Sequence, residues 1–180
     1  MRHDPALLDA LRRRPQIAFA GNAFRATRAK QHPLLASTRG GRWAPNNGPE
    51  ILYTSLEREG ALAEITHHWG QLTPMPTQPV ALHRLSVGTA KTLRLIRADL
   101  SSLGVQDDLY KTSNYARTQD IGAAVAFLGC DGLIAPNARW NCENLMIFTE
   151  NVPEDRVYTV VETEFVDWIA WARGRSLILS

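Results

Sequence analysis

A chain of 180 residues, 44% hydrophobic and 21% charged, carries enough apolar material for a packed core in a single domain spanning 1–180. Its net charge of +2 argues against a strong polyanion partner such as nucleic acid, and two cysteines, Cys130 and Cys142, exclude a disulfide scaffold. No run approaches the ~18 apolar residues of a membrane span, and the arginine-bearing start lacks an apolar signal core, so the expected compartment is the cytosol.

Asp4 followed by Pro5 reads as an N-cap with proline at the first helical position, predicting a helix that ends near Arg14, before Pro15. Ile17–Ala20 and Ala23–Arg25 predict two short extended pieces. Residues 26–50 are rich in Gly, Pro, Asn and Arg, which is loop composition, and long loops in compact domains are often functional. Ile51–Ser55 predicts a strand. Leu62, Ile65 and Trp69 recur at helical spacing and predict an amphipathic helix over 57–69. Pro74, Pro76 and Pro79 mark a break. Val80–Val87 and Thr92–Ile96 predict two strands about a turn at Gly88-Thr89. A helix over 115–128 should end at Gly129. Leu133–Ala135 and Leu145–Phe148 predict buried strands, Val157–Val161 a further one, and Trp168–Trp171 a short helix. This mixture predicts an α+β domain rather than a regular βαβ series. Neither GxGxxG nor GxxxxGK[ST] occurs, so no Rossmann or P-loop nucleotide site is expected.

Charge is uneven along the chain: residues 1–45 are basic and residues 143–167 acidic. Two solvated faces account for this, and so does a basic third that faces phosphates or an acidic partner.

Arg42, Tyr53 and Glu64 stand at two equal spacings of 11 residues. Arginine can clamp a pyrophosphate through paired, charge-assisted hydrogen bonds. An aromatic ring can stack on a flat base. A carboxylate can stabilise the positive charge that develops as a glycosidic bond breaks. Taken alone, each residue has a structural reading: a surface ion pair, a core tyrosine and a solvated helix shoulder. Trp43 reads as a core tryptophan, with base stacking as its alternative. Glu64 and His68 share a helix face, but the pair is two ligands short of a typical metal site, so no metal is expected. His67 and His68 should cap the helix end or line a cleft, where a helix C-terminus favours the protonated imidazole.

Phe24-Arg25, Gly40-Gly41-Arg42-Trp43, Leu52-Tyr53-Thr54-Ser55, Ala61-Leu62-Ala63-Glu64, the run Asp131–Arg139 and Asn144–Phe148 together resemble the RES domain family, over a motif-bearing core of about 24–150. The family is named for an arginine, a glutamate and a serine. The first two fall on Arg42 and Glu64, whereas the serine position holds Asn137. The resemblance implies an ADP-ribosyltransferase-like split, mainly antiparallel β core flanked by helices. It also implies a toxin that consumes NAD as a substrate, with no recycled cofactor, neutralised by a small antitoxin with an Xre-type helix-turn-helix. Arg25 and Arg42 would hold the pyrophosphate or an attacking phosphate. Tyr53 would pack on nicotinamide or ribose, and Glu64 would stabilise the oxocarbenium-like transition state. Asn137 would replace the serine by hydrogen bonding to the nicotinamide amide or a ribose hydroxyl. Hydrolysis, phosphorolysis and ADP-ribose transfer to a protein differ only in the acceptor. A non-catalytic binding module is the remaining alternative, favoured by the departure at Asn137.

Overall fold

The computed structural model describes residues 3–153 and 158–178. In chain order its elements are α1 (Pro5–Arg12), β1 (Gln16–Arg28), β2 (Ile51–Ser55), α2 (Arg58–Trp69), β3 (Val80–Arg94), α3 (Arg97–Ser102), α4 (Ala116–Phe127), β4 (Gly132–Pro136), β5 (Glu143–Phe148), β6 (Thr159–Val166) and α5 (Trp168–Arg173). Every strand pair is antiparallel except β3–β4.

The β core is split. β1 runs along β3 from Gln16↔Leu93 to Arg28↔Val80, and β6 continues that leaf on the far edge of β3. The second leaf is β2–β5–β4. Two short seams join the leaves: the parallel pairing of Thr92–Arg94 with Gly132–Ile134, and the single pair Phe24↔Ser55 between β1 and β2.

β3 is one strand, not two about a turn. Its irregularity is a bulge, where the pairing with β1 jumps from Thr89 to Thr92. The backbone N–H groups of Ala90 and Lys91 leave the ladder there and donate to the two carboxylate oxygens of buried Asp131, at 2.6 and 2.8 Å. Those bonds satisfy donors that the bulge would otherwise orphan. Likewise, the two extended pieces expected over 17–25 form one long strand.

Asp4 caps α1 through the Ala6 N–H at 2.9 Å. The helix ends two residues earlier than expected, at Arg12, and Arg14 turns to pair with Asp99 of α3. The expected strand at 157–161 begins on Val157, outside the described residues; the described strand is Thr159–Val166. Ile51, Leu93, Leu133, Met146 and Phe148 pack with α1 and α4 in the largest core cluster. Leu62, Trp69, Val80 and Leu82 pack with Trp168 and Trp171 in a second. α2 buries a wide arc that includes Gly60, Ala61, Leu62, Ala63, Thr66 and Trp69, rather than the narrow stripe read from its spacing. Gly60 is obligatory at its start, because an added Cβ would lie 2.3 Å from Ser55 Oγ and 2.4 Å from Cys142 Sγ. That close approach seats the first turn of α2 against the end of β2 and sets where Glu64 lies, one turn later. No described helix is long and apolar enough to cross a membrane.

Candidate active site

A cleft of about 400 Å³ lies where β1, β2, α2 and the 37–43 loop meet. That volume is within the range of small-molecule sites, roughly 300–1,000 Å³. Arg25, Arg42, Tyr53 and Glu64 all line it. Residues spread over 40 positions of chain are thus brought to one concavity.

Arg42 extends from the loop and is held entirely by uncharged groups. Its Nη1 donates to the Tyr110 carbonyl at 2.5 Å. Its guanidinium lies 4.9 Å from the Tyr110 ring centroid and 4.6 Å from that of Tyr115. Cation–π contact orients the planar group without neutralising it. Tyr110 is itself buried and anchored, since its hydroxyl donates to the Pro136 carbonyl at 2.6 Å.

Tyr53 projects from β2 beneath the loop. Its hydroxyl accepts from the Trp43 N–H at 3.3 Å. Gly41 permits this approach, because a Cβ there would stand 2.8 Å from the hydroxyl oxygen. Burial pushes the phenol up to about 12, against the Trp43 N–H and the Arg42 charge, which pull it down. At neutral pH the hydroxyl keeps its proton and can donate it to a ligand. Trp43 is buried among core residues, in keeping with its structural reading.

Arg25 sits deeper, 9% exposed. Its Nη1 donates to the Tyr53 carbonyl at 3.1 Å and its Nη2 to the Leu35 carbonyl at 2.7 Å. Its Nε has no hydrogen-bond partner. Burial lowers the guanidinium to about 10, so it stays charged at neutral pH. Arg25 therefore ties β1 to β2 and to the 29–50 loop while presenting a positive charge to the cleft.

Glu64 reaches the cleft from the shoulder of α2. Its Oε1 accepts from Asn144 Nδ2 at 3.2 Å. Among the described residues neither Arg42 nor Glu64 has an oppositely charged side chain within 4.0 Å. The cleft thus holds a cation and an anion that are positioned but not spent on each other.

His68 lines the exposed rim. Desolvation, then the charges of Arg139 and Arg42, lower both His67 and His68, with His67 at about 4 and Glu64 opposing the shift at His68. The protonated imidazoles expected from the helix end are therefore overridden, first by desolvation and then by the neighbouring arginine charges.

Asn137 is not brought to the cleft. It is buried, and both ends of its amide are committed inside the protein: Oδ1 accepts from the Arg139 and Trp140 N–H groups, and Nδ2 donates to Asn144 Oδ1 and the Gly60 carbonyl. The expected contact with nicotinamide or ribose is replaced by a structural one.

The RES domain profile matches residues 13–169. The chain belongs to the RES domain family. This RES domain also superposes, with a TM-score of 0.81, on a chain of the crystal structure of the M. tuberculosis MbcT-MbcA toxin-antitoxin complex; the match is 18% identical and covers 96% of this chain and 98% of that one. At that identity the likeness establishes the shared α+β fold. No curated protein matches the sequence.

The sequence does not single out three residues that hold the charged groups of this cleft: Tyr110, a core residue against Arg42, and Tyr115 and Asn144, which line the cleft beside Arg42 and Glu64. The two tyrosines come from the 103–115 connection, whose linear pattern carries no signal for stacking on Arg42. Asn144 lies in a segment that carries the family resemblance, but its role depends on pairing across strands.

Proposed function

We propose that this RES domain consumes NAD by breaking the bond between nicotinamide and ribose, and that a partner antitoxin neutralises it. The observation that carries the reading is the pair of uncompensated charges in one cleft, Arg42 and Glu64, with the protonated Tyr53 hydroxyl between them in sequence. A dinucleotide with an anionic pyrophosphate and a ribosyl carbon that becomes cationic is complementary to that arrangement.

In this scheme Arg42, already held against two tyrosine rings, takes the pyrophosphate in a two-pronged contact, and Arg25 adds positive potential below it. Tyr53 packs on the nicotinamide ribose and donates its hydroxyl proton. As the C1′–N1 bond lengthens, its electron pair leaves with nicotinamide and positive charge spreads over C1′ and the ring oxygen. Glu64 faces that charge and stabilises it more in the transition state than in the ground state. The carboxylate also orients the incoming nucleophile, water or phosphate, which completes hydrolysis or phosphorolysis.

Family membership and the fold shared with a chain of a toxin–antitoxin complex support a toxin role with an antitoxin partner; in this reading the antitoxin is a small Xre-type helix-turn-helix protein and the NAD consumed is cytoplasmic. Because Asn137 is withdrawn from the cleft, its difference from the family serine is no argument for a non-catalytic module. Purified protein incubated with NAD, with and without phosphate, should release nicotinamide and give either ADP-ribose or its 1″-phosphate. Intact NAD after prolonged incubation with folded protein would reject the enzymatic reading. ADP-ribose appearing on a protein acceptor would replace it with transferase chemistry.

A further inference from the structure

We infer that Asn137 and Asn144 form a positioning relay that aims the Glu64 carboxylate, with Asn144 as the positioning residue and Asn137 as its fixed support; this deepens, and rests on, the NAD-cleaving reading of the cleft.

The relay starts from the backbone. The N–H groups of Arg139 and Trp140 approach one end of the Asn137 amide at 2.6 and 3.0 Å. A backbone N–H can only donate, so that end of Asn137 must be its oxygen. Its Nδ2 therefore points the other way, donating to Asn144 at 2.8 Å and to the Gly60 carbonyl at 3.4 Å. An amide NH₂ cannot accept, so the Asn144 atom it meets must be Oδ1. That leaves Asn144 Nδ2 as the atom facing Glu64 Oε1, at 3.2 Å. Two backbone N–H groups thus determine the orientation of both asparagines and deliver a donor, never an acceptor, to the carboxylate.

Each member is held rigidly. Asn144 is paired on both sides within the second leaf, opposite Ser55 of β2 and Ala135 of β4. Asn137 opens the tight β4–β5 connection, in which its N–H donates to the Cys142 carbonyl at 2.8 Å and the Cys142 N–H donates to the Trp140 carbonyl at 2.9 Å. The bond to Gly60 ties the relay to the helix that carries Glu64. Asn144 is the one hydrogen-bond partner of the Glu64 side chain among the described residues, and it engages one carboxylate oxygen, leaving Oε2 for substrate. A hydrogen bond from a neutral amide orients a carboxylate while preserving its charge, whereas an arginine or lysine in that place would offset it.

This assigns a physical reason to asparagine at 137. A serine hydroxyl has a single proton on a shorter side chain, so it cannot donate to Asn144 and to the Gly60 carbonyl together as the Asn137 NH₂ does. Asn137→Ser should therefore weaken Glu64 positioning, rather than preserve or raise turnover as a substrate-contacting residue would allow.

The test uses the full chain carrying Asn144→Asp, Asn144→Ala or Asn137→Ser, each alone and combined with Glu64→Gln, with rates normalised to folded protein. Asn144→Asp is nearly isosteric but turns an acceptor toward Glu64. It should lower kcat by about 100-fold with KM little changed, the scale expected when a catalytic group is misplaced by about an ångström. Asn144→Ala and Asn137→Ser should lose less, also in kcat. None should lower the rate further in the Glu64→Gln background, since the relay acts only through Glu64. An unchanged kcat in Asn144→Asp, a loss confined to KM, or losses that add to that of Glu64→Gln would overturn the relay. A second arm needs no turnover: the side-chain amide resonances of Asn144 should move in Glu64→Ala and lose exchange protection in Asn137→Ser. If folded wild type leaves NAD intact while these resonances respond, the NAD reading fails and the relay stands. If they respond to neither change, the relay fails whatever the activity.

Discussion

The outer face of the β1–β3–β6 leaf and the cleft handle charge in opposite ways. On the outer face arginines and carboxylates pair with one another: Arg84 with Glu162 at 3.0 Å and Arg58 with Glu164 at 2.7 Å. In the cleft, Arg42 is held by two tyrosine rings and a carbonyl, and Glu64 by an asparagine amide. The first pattern neutralises charge where solvent already screens it. The second orients charge and leaves it to act on whatever enters. The same contrast resolves the uneven charge along the chain: Glu143, Glu162 and Glu164 are taken up by Arg94, Arg84 and Arg58, not by the basic first quarter.

The strongest break of this contrast is Glu64→Gln, which keeps shape and removes the negative charge. NAD turnover should fall by roughly 10²- to 10³-fold, as for loss of a dominant electrostatic group, with the melting temperature little changed. Wild-type rates in the folded variant would take Glu64 out of the mechanism. Arg42→Lys comes next. Lysine keeps the charge but lacks the planar fork and its contact with the Tyr110 and Tyr115 rings, so NAD affinity or rate should drop by about tenfold. Equal affinity and rate would show that a point charge suffices.

Arg84→Ala sharpens the contrast from the other side. Its pair with Glu162 is exposed, so the variant should cleave NAD like wild type and lose about 0–1 kcal/mol of stability by chemical denaturation. A tenfold loss of turnover would mean that the outer face and the cleft are coupled.

The smallest effect concerns His83, buried between β1 and β6. Thr27 Oγ1 lies 2.9 Å from its Nε2 and Thr163 Oγ1 2.8 Å from its Nδ1. Thr27 Oγ1 already donates to the Arg28 carbonyl, so Nε2 carries the ring proton and Nδ1 accepts from Thr163. Desolvation, with the charges of Arg25 and His32, holds His83 below the usual histidine value. The unfolded chain therefore takes up this proton first. Stability should be unaffected above about pH 6.5 and should decline as pH falls below it toward the lowered folded value. His83→Gln should flatten that decline; an unchanged slope in thermal melts between pH 7 and 5 would place its origin elsewhere.

Elements with short-range signals were legible in the sequence. β2 and α2 follow from an apolar run and a helical spacing within a dozen residues, and β4, β5 and α4 from similar patterns. β3 was split in two because its bulge is completed by Asp131, some 40 positions away, which no local pattern announces. β1 was broken at Gly21-Asn22, although its pairing with β3 runs straight through both residues. α3 was missed because six residues give too short a period; its Asp99 carboxylate accepts the Ile96 N–H at 2.9 Å at the helix start. Motif order and spacing single out Arg25, Arg42, Tyr53 and Glu64, and the fold brings all four to one cleft. They do not single out Tyr110, Tyr115 and Asn144, because their roles are contacts across the fold. Asn137 was misplaced for the same reason: its residue type permits ligand binding, and only its four internal hydrogen bonds show that its capacity is already used.

The most direct test of the uncompensated-charge cleft as an NAD site is a crystal structure of the Glu64→Gln variant grown with NAD, in which binding is separated from turnover. The pyrophosphate should lie within hydrogen-bond distance of the Arg42 guanidinium, with the nicotinamide ribose against Tyr53 and its C1′ facing residue 64. NAD bound elsewhere, or a cleft in which the pyrophosphate lies away from Arg42 and C1′ away from residue 64, would contradict the account.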